Sequence, residues 1–293
     1  MPWLINAAQL DKFRKAQKNI VILDASWHLD TENRNSKQEF LDSHISSARI
    51  LDLTDFHDPV NPLPNMLIRN EDVISKKVGA LGISNDHKII FYDKSNLHTS
   101  CRALWMFKFF GHNPNQLYIL DGGLAAWEKF GGKIETGDAK NVSAKSYTVN
   151  FEAQYLRSLV QMKTNLKHPT EQVIDLRHPV RFAGGKEHRE GVRSGHIPSS
   201  FSFPYFTMFE NDGLFKPIER IRKQLSGISV ELSQPIITTC GSGMSAAILN
   251  FVLDLMSHSH HSLYDGSWVE WGNEKLYSGE ESLAERPVET CLE

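Results

Sequence analysis

Pro235-Ile236-Ile237-Thr238-Thr239-Cys240-Gly241-Ser242-Gly243-Met244-Ser245-Ala246-Ala247 runs from a short apolar stretch through two glycines into a longer apolar segment that reaches Met256. A buried strand, a tight turn and a helix account for that pattern. The same pattern stands earlier in the chain. Lys88-Ile89-Ile90-Phe91-Tyr92-Asp93 matches Pro235 to Cys240, and an apolar helix is predicted from Ser100 to Phe110, matching Met244 to Met256.

Working outward, the correspondence continues on both sides. Val21-Ile22-Leu23-Asp24 pairs with Val173-Ile174-Asp175-Leu176. His44-Ile45 precedes Ala48-Arg49-Ile50-Leu51, as Gly195-His196-Ile197-Pro198 precedes Phe201-Ser202-Phe203-Pro204. Tyr118-Ile119-Leu120-Asp121-Gly122-Gly123 with Trp127 closes one copy, and Leu263-Tyr264-Asp265-Gly266-Ser267 with Trp268 and Trp271 closes the other. Short apolar strands alternating with helices predict an α/β fold, here two tandem copies, each a parallel sheet flanked by helices. We place the first domain at 1–138, a polar linker at 139–155 and the second domain at 156–293. One large α/β sheet is the competing architecture, and the register of the repeat disfavours it.

The 293 residues suit two domains that each bury a core, with 40% hydrophobic and 23% charged residues. A net charge of −3 excludes a bulk basic surface for nucleic acid. No uncharged apolar stretch of about 18 residues is present, so no membrane helix is expected. Met1 to Lys18 lacks the pattern of a secretory signal. Three cysteines, Cys101, Cys240 and Cys291, are too few for a disulfide framework and point to a reducing compartment, by default the cytosol. Ser257-His258-Ser259-His260-His261 lacks the acidic or thiol spacing of a closed metal site and reads as a loop after a helix. Trp105, Phe107, Phe109 and Phe110 read as core, and Gly79 to Gly82 as a helix end without a nucleotide fingerprint.

The copies differ where chemistry is expected, beyond the carboxyl end of a strand. Asp93 occupies that place in the first copy and Cys240 in the second. Gly241 and Gly243 let the backbone curl so that successive N–H groups face one cavity, and the following helix adds its positive end. A thiol in such a cradle ionises more easily than a free one near ~8.5 and becomes a nucleophile whose products the same amides can hold. An inert packed thiol is the bland reading. It suits Cys101, within a helical apolar pattern, while Cys291 is expected to be exposed and incidental.

Cys240-Gly241-Ser242-Gly243-Met244-Ser245-Ala246 resembles the active-site loop of the 3-mercaptopyruvate sulfurtransferases, a tandem-domain branch of the rhodanese family, usually Cys-Gly-Ser-Gly-Val-Thr-Ala. Tyr264-Asp265-Gly266-Ser267-Trp268, Glu270-Trp271 and Gly195-His196-Ile197-Pro198 are similar too. Pro62-Leu63-Pro64-Asn65-Met66-Leu67 resembles the family's Pro-Leu-Pro-His-Met-Leu. The resemblance covers nearly the whole chain and implies an inactive first domain and a catalytic second one.

It further implies that Arg181 and Arg189, in Val180-Arg181-Phe182-Ala183-Gly184 and Glu187-His188-Arg189-Glu190-Gly191, bind the substrate. His188 stands where proline is common. A planar guanidinium suits a carboxylate next to a ketone. Arg177 and Arg193 are assigned to salt bridges or solvent. Gly241, Gly243, Met244 and Ser245 are expected to contact the bound anion through the loop, and Ser242 to donate to substrate. The family's suggested serine-histidine-aspartate relay implies a role for His44, for which a structural role is equally consistent; Glu32 is its candidate acidic partner.

The expected chemistry is transfer of sulfur from 3-mercaptopyruvate through a Cys240 persulfide, releasing pyruvate. A thiol such as thioredoxin, glutathione or dithiothreitol, or cyanide, takes the sulfur, and no metal or organic cofactor is called for. Thiosulfate is the alternative donor, although family members that prefer it usually carry Arg-Lys after the cysteine, whereas this loop is uncharged. A silent sulfur-binding module is the alternative of another class. A cysteine phosphatase is excluded, because Ala246 and Ala247 stand where its arginine closes the loop.

Overall fold

A computed structural model describes residues 3–16, 19–276 and 283–291. The chain forms two compact units. The first comprises Met1–His57, Ile68–Glu152 and Glu210–Phe215; the second comprises Asp58–Leu67, Ala153–Phe209 and Lys216–Glu293.

In the first unit the strands are β1 (Leu4–Ile5), β2 (Ile20–Asp24), β3 (His44–Ile45), β4 (Arg49–Ile50), β5 (Lys88–Tyr92), β6 (Leu117–Leu120) and β7 (Ile134–Glu135). The helices are α1 (Ala7–Ala16), α2 (Ser36–Asp42), α3 (Glu71–Ala80), α4 (Ser100–Phe109) and α5 (Gly123–Lys129). One sheet runs β1-β6-β5-β2-β4 with every neighbouring pair parallel, and β3 pairs antiparallel with β7. Strands covered on both faces become continuous apolar runs. Ile89, Ile90, Phe91 and Tyr92 in β5 are accordingly all buried.

The second unit repeats this plan. Its strands are β8 (Leu156–Arg157), β9 (Gln172–Asp175), β10 (Phe201–Ser202), β11 (Ile236–Thr239) and β12 (His261–Tyr264). Its helices are α6 (Leu159–Lys167), α7 (Pro179–Phe182), α8 (Ile218–Gly227), α9 (Ala246–Leu255) and α10 (Ser267–Trp271). The parallel order β8-β12-β11-β9-β10 is the first sheet strand for strand. The two-copy parallel α/β architecture expected from the repeat is therefore present. Tyr92, Trp127 and Phe40 anchor one core, and Tyr264, Trp268 and Trp271 the other.

The stretch expected as a linker divides between the units after Glu152. Its first part packs on the first unit, where Tyr147 and Val149 are buried and the amides of Lys145, Asn150 and Glu152 donate to the carbonyls of Gly79, Phe110 and Phe109. Its polar composition marks satisfied backbone rather than free chain. The membership of Asp58–Leu67 in the second unit and of Glu210–Phe215 in the first had no signal in the repeat. No described helix is long and apolar enough to cross a membrane.

Candidate active site

Cys240 follows β11 directly. Its carbonyl and that of Gly241 accept the amides of Trp268 and Val269 at 3.0 Å each, so the start of α10 pins the loop from beneath. The Cys240 amide donates to Ser267 Oγ at 3.3 Å, and that hydroxyl donates to the Tyr264 carbonyl at 2.8 Å. The strand and helix termini of one unit thus fix the cysteine backbone twice.

Beyond Cys240 the chain curls. Gly243 has φ of 81°, in the left-handed region where a side chain is costly. The helix expected from Met244 starts at Ala246 instead, because Ala247 and Ile248 bond back to the Met244 and Ser245 carbonyls in a tighter turn. Among the described residues, the amides of Gly241, Ser242, Met244 and Ser245 donate to no protein acceptor. Buried N–H groups are rarely left so. Cys240, Ser242, Met244 and Ser245 are all buried, so this loop is a lined recess with unspent donors.

The arginines face it. A side chain at Gly241 would meet Arg189 Nη1 at 3.1 Å and Nη2 at 3.4 Å, and Arg181 Nη1 at 3.6 Å. Glycine here leaves room for two guanidinium groups over the loop. Glu187 spaces them: its carboxylate lies 2.5 Å from Arg181 Nη2 and 3.6 Å from Arg189 Nη1. Burial alone would raise the Glu187 carboxyl, but the Arg181 hydrogen bond and the two positive charges outweigh it and hold it below the ordinary carboxylate range. The Arg189 guanidinium is lowered by burial and by Arg181, partly offset by Glu187 and the Cys240 side chain. Arg181 Nε is buried without a partner among the described residues.

The neighbouring arginines have other duties. Arg177 makes a buried ion pair with Asp175 at 2.6 Å, donates to the Gly195 carbonyl and lies over the Trp268 ring at 4.4 Å. Arg193 donates to the carbonyls of Gly272, Trp271 and Arg286, an internal role rather than a salt bridge or solvent exposure. His188 is exposed. Cys101 is fully buried in α4, where burial pushes its thiol well up, and Cys291 is exposed.

His44 is held in the first unit. Its ring stacks on Phe40 at 3.9 Å and its Nδ1 lies 2.8 Å from the Phe40 carbonyl. His196, its counterpart in the repeat, stacks on Phe182 at 3.8 Å with Nδ1 2.7 Å from the Phe182 carbonyl. His44 and His196 thus do the same packing task in the two copies. Glu32 faces His28 at 3.6 Å and Asn96 rather than His44. Ser242 instead meets Asn65, whose Nδ2 lies 2.8 Å from Ser242 Oγ. The repeat gave no signal for Asn65 or Glu187 as site residues; both lie in motif segments already singled out.

In the first unit the equivalent loop is closed by its own acid. Asp93 accepts the Ser95 amide at 2.9 Å and the Ser100 amide at 2.8 Å. A cavity of about 440 Å³ opens beside it, lined by His98, Gly122, Gly123 and Phe215 among others. No group of His, Cys, Asp and Glu among the described residues is arranged to hold a metal.

A rhodanese-like domain model matches residues 6–130 and 158–274. The thiosulfate/3-mercaptopyruvate sulfurtransferase 1, mitochondrial, of Arabidopsis thaliana is 34% identical over 279 residues, covering 88% of this chain and 73% of that one. The human 3-mercaptopyruvate sulfurtransferase is 33% identical over 260 residues, covering 88% and 86%. The crystal structure of SseA from Escherichia coli, described among 3-mercaptopyruvate sulfotransferases with the rhodanese fold, superimposes with a TM-score of 0.82 at 31% identity, covering 92% of this chain and 99% of that one.

Proposed function

Because this chain belongs to the rhodanese-like family and carries the domain twice, we propose that it is a sulfurtransferase that takes sulfur from 3-mercaptopyruvate, carries it on Cys240 and passes it to a thiol or cyanide. The observation that carries this reading is the pairing of two guanidinium groups over Gly241 with loop amides that have no acceptor of their own.

The Cys240 thiolate attacks the donor sulfur. The carbon–sulfur bond breaks, its electron pair leaves as the pyruvate enolate, and one proton from solvent completes pyruvate. Cys240 is left as a persulfide. Arg181 and Arg189 hold the donor carboxylate, the Arg181 Nε being available for it. The amides of Gly241, Ser242, Met244 and Ser245, together with the α9 N-terminus, hold the developing negative charge, a service worth most in a dry recess. An acceptor thiolate then attacks the outer sulfur and restores the Cys240 thiolate; with cyanide the product is thiocyanate. Thioredoxin and glutathione are suitable thiols.

Thiosulfate is the second reading, favoured by the Arabidopsis relative, whose name carries both donors. Against it stands the uncharged loop, which offers a dianion no more than the two arginines already paired with Glu187. Steady-state kinetics with both donors tests the proposal. We expect kcat/KM to favour 3-mercaptopyruvate and Cys240→Ser to release no pyruvate. Preference for thiosulfate would overturn the donor assignment, and turnover in Cys240→Ser would overturn the mechanism.

A further inference from the structure

We propose that Asn65 is a positioning residue that fixes the Ser242 hydroxyl as a standing hydrogen-bond donor toward the group bound at the Cys240 loop, and that it does so without exchanging a proton. The assignment rests on the sulfurtransferase reading above and deepens it.

The direction of the contact follows from its geometry. The terminal nitrogen of Asn65 faces both Ser242 Oγ at 2.8 Å and the Ser242 carbonyl at 3.3 Å. A carbonyl oxygen only accepts, so the group facing it is the NH2 end of the amide and not the oxygen. That NH2 also donates to Ser242 Oγ, so the hydroxyl accepts from Asn65 and its own proton points elsewhere. Among the described residues no protein acceptor takes that proton. Ser242 is buried between Gly241 and Gly243, so a donor so oriented serves a ligand on the loop.

Asn65 is itself held firmly. It is 8% exposed and has φ of 64°, a left-handed conformation that asparagine tolerates better than most residues. Pro64 stiffens the turn before it, and two residues on the Leu67 amide donates to Asp265 Oδ2 at 3.3 Å. An amide side chain has no ionisation near neutrality, so Asn65 orients the hydroxyl at every working pH. Proton delivery to the enolate then falls to solvent.

Two backbone-compatible substitutions test this. Glycine accepts the positive φ, and histidine is also enriched there. Asn65→Gly is expected to lower kcat for pyruvate release about tenfold, the effect of one hydrogen bond, with KM changed less than about twofold. In a Ser242→Ala background the same substitution is expected to change kcat by less than about twofold. Asn65→His is expected to add an ionisation at about pH 6.5 to the kcat profile, absent from the wild type. Equal losses in the two backgrounds, or no loss in Asn65→Gly, would overturn the assignment while leaving the sulfurtransferase reading intact. Gain of one sulfur atom by each variant on donor treatment shows that folding and the first step survive. A wild-type protein that neither gains sulfur nor releases pyruvate would instead sink the underlying reading, and this assignment with it.

Discussion

Arg181, Glu187 and Arg189 act as one device. Two positive groups crowded over a loop repel each other, and burial makes their charge costlier still, as the lowered Arg189 shows. Glu187, 3% exposed in its side chain, offsets both effects and fixes the spacing. Only a planar fork can hold Glu187 and still present N–H groups to a second carboxylate. Lysine at 189 keeps the charge and loses that geometry. Arg189→Lys is therefore expected to raise KM for 3-mercaptopyruvate about ten- to a hundredfold, the range of a charged hydrogen bond, with a smaller change in kcat. An unchanged KM would show that Arg189 serves the loop rather than the donor.

At the level of elements, the recess depends on how α9 seats on β11 and β12. β12 is polar for a buried strand, and its histidine explains how that is tolerated. His261 Nδ1 lies 2.7 Å from Asn250 Oδ1 and Nε2 lies 2.9 Å from Asp254 Oδ1. Asn250 turns its NH2 to the Thr238 hydroxyl and the Ser262 carbonyl, so its oxygen is the atom that faces the ring. Both ring nitrogens thus have hydrogen-bond partners on α9, Asn250 on one side and Asp254 on the other. Two residues of α9 are thus tied to both strands behind the cysteine loop. The His-rich stretch expected as a post-helix loop is a loop up to His260, and His261 already belongs to β12. Removing the ring takes hydrogen-bond partners from buried polar groups of α9. His261→Gln is expected to destabilise the protein by about 1–3 kcal/mol in denaturant unfolding. A change below about 0.5 kcal/mol would mean that the network does not hold α9 in place.

Across the whole chain, duplication explains the fold, and the two copies differ in the residue that follows the central strand, Asp93 in one and Cys240 in the other. The two sheets share a strand order. In the first unit the Asp93 side chain accepts the Ser95 and Ser100 amides after the central strand. In the second, the amides of Gly241, Ser242, Met244 and Ser245 donate to no protein acceptor among the described residues. The strand repeats and the cysteine at a strand end were legible in the sequence because each rests on local pattern, whereas Arg181 and Arg189 were singled out by the family resemblance. Asn65 was not legible, because its partner lies 177 residues away and nothing local marks a contact at that separation. Nor were the short stretches 58–67 and 210–215, whose unit is decided by packing and not by periodicity.

The central claim is that one thiol per chain carries sulfur. Intact-mass spectrometry after brief treatment with 3-mercaptopyruvate, without an acceptor, tests it most directly. The account predicts a gain of a single sulfur atom per chain, reversed by cyanide and absent from Cys240→Ser. A gain that persists in Cys240→Ser, or none in the wild type, would contradict it.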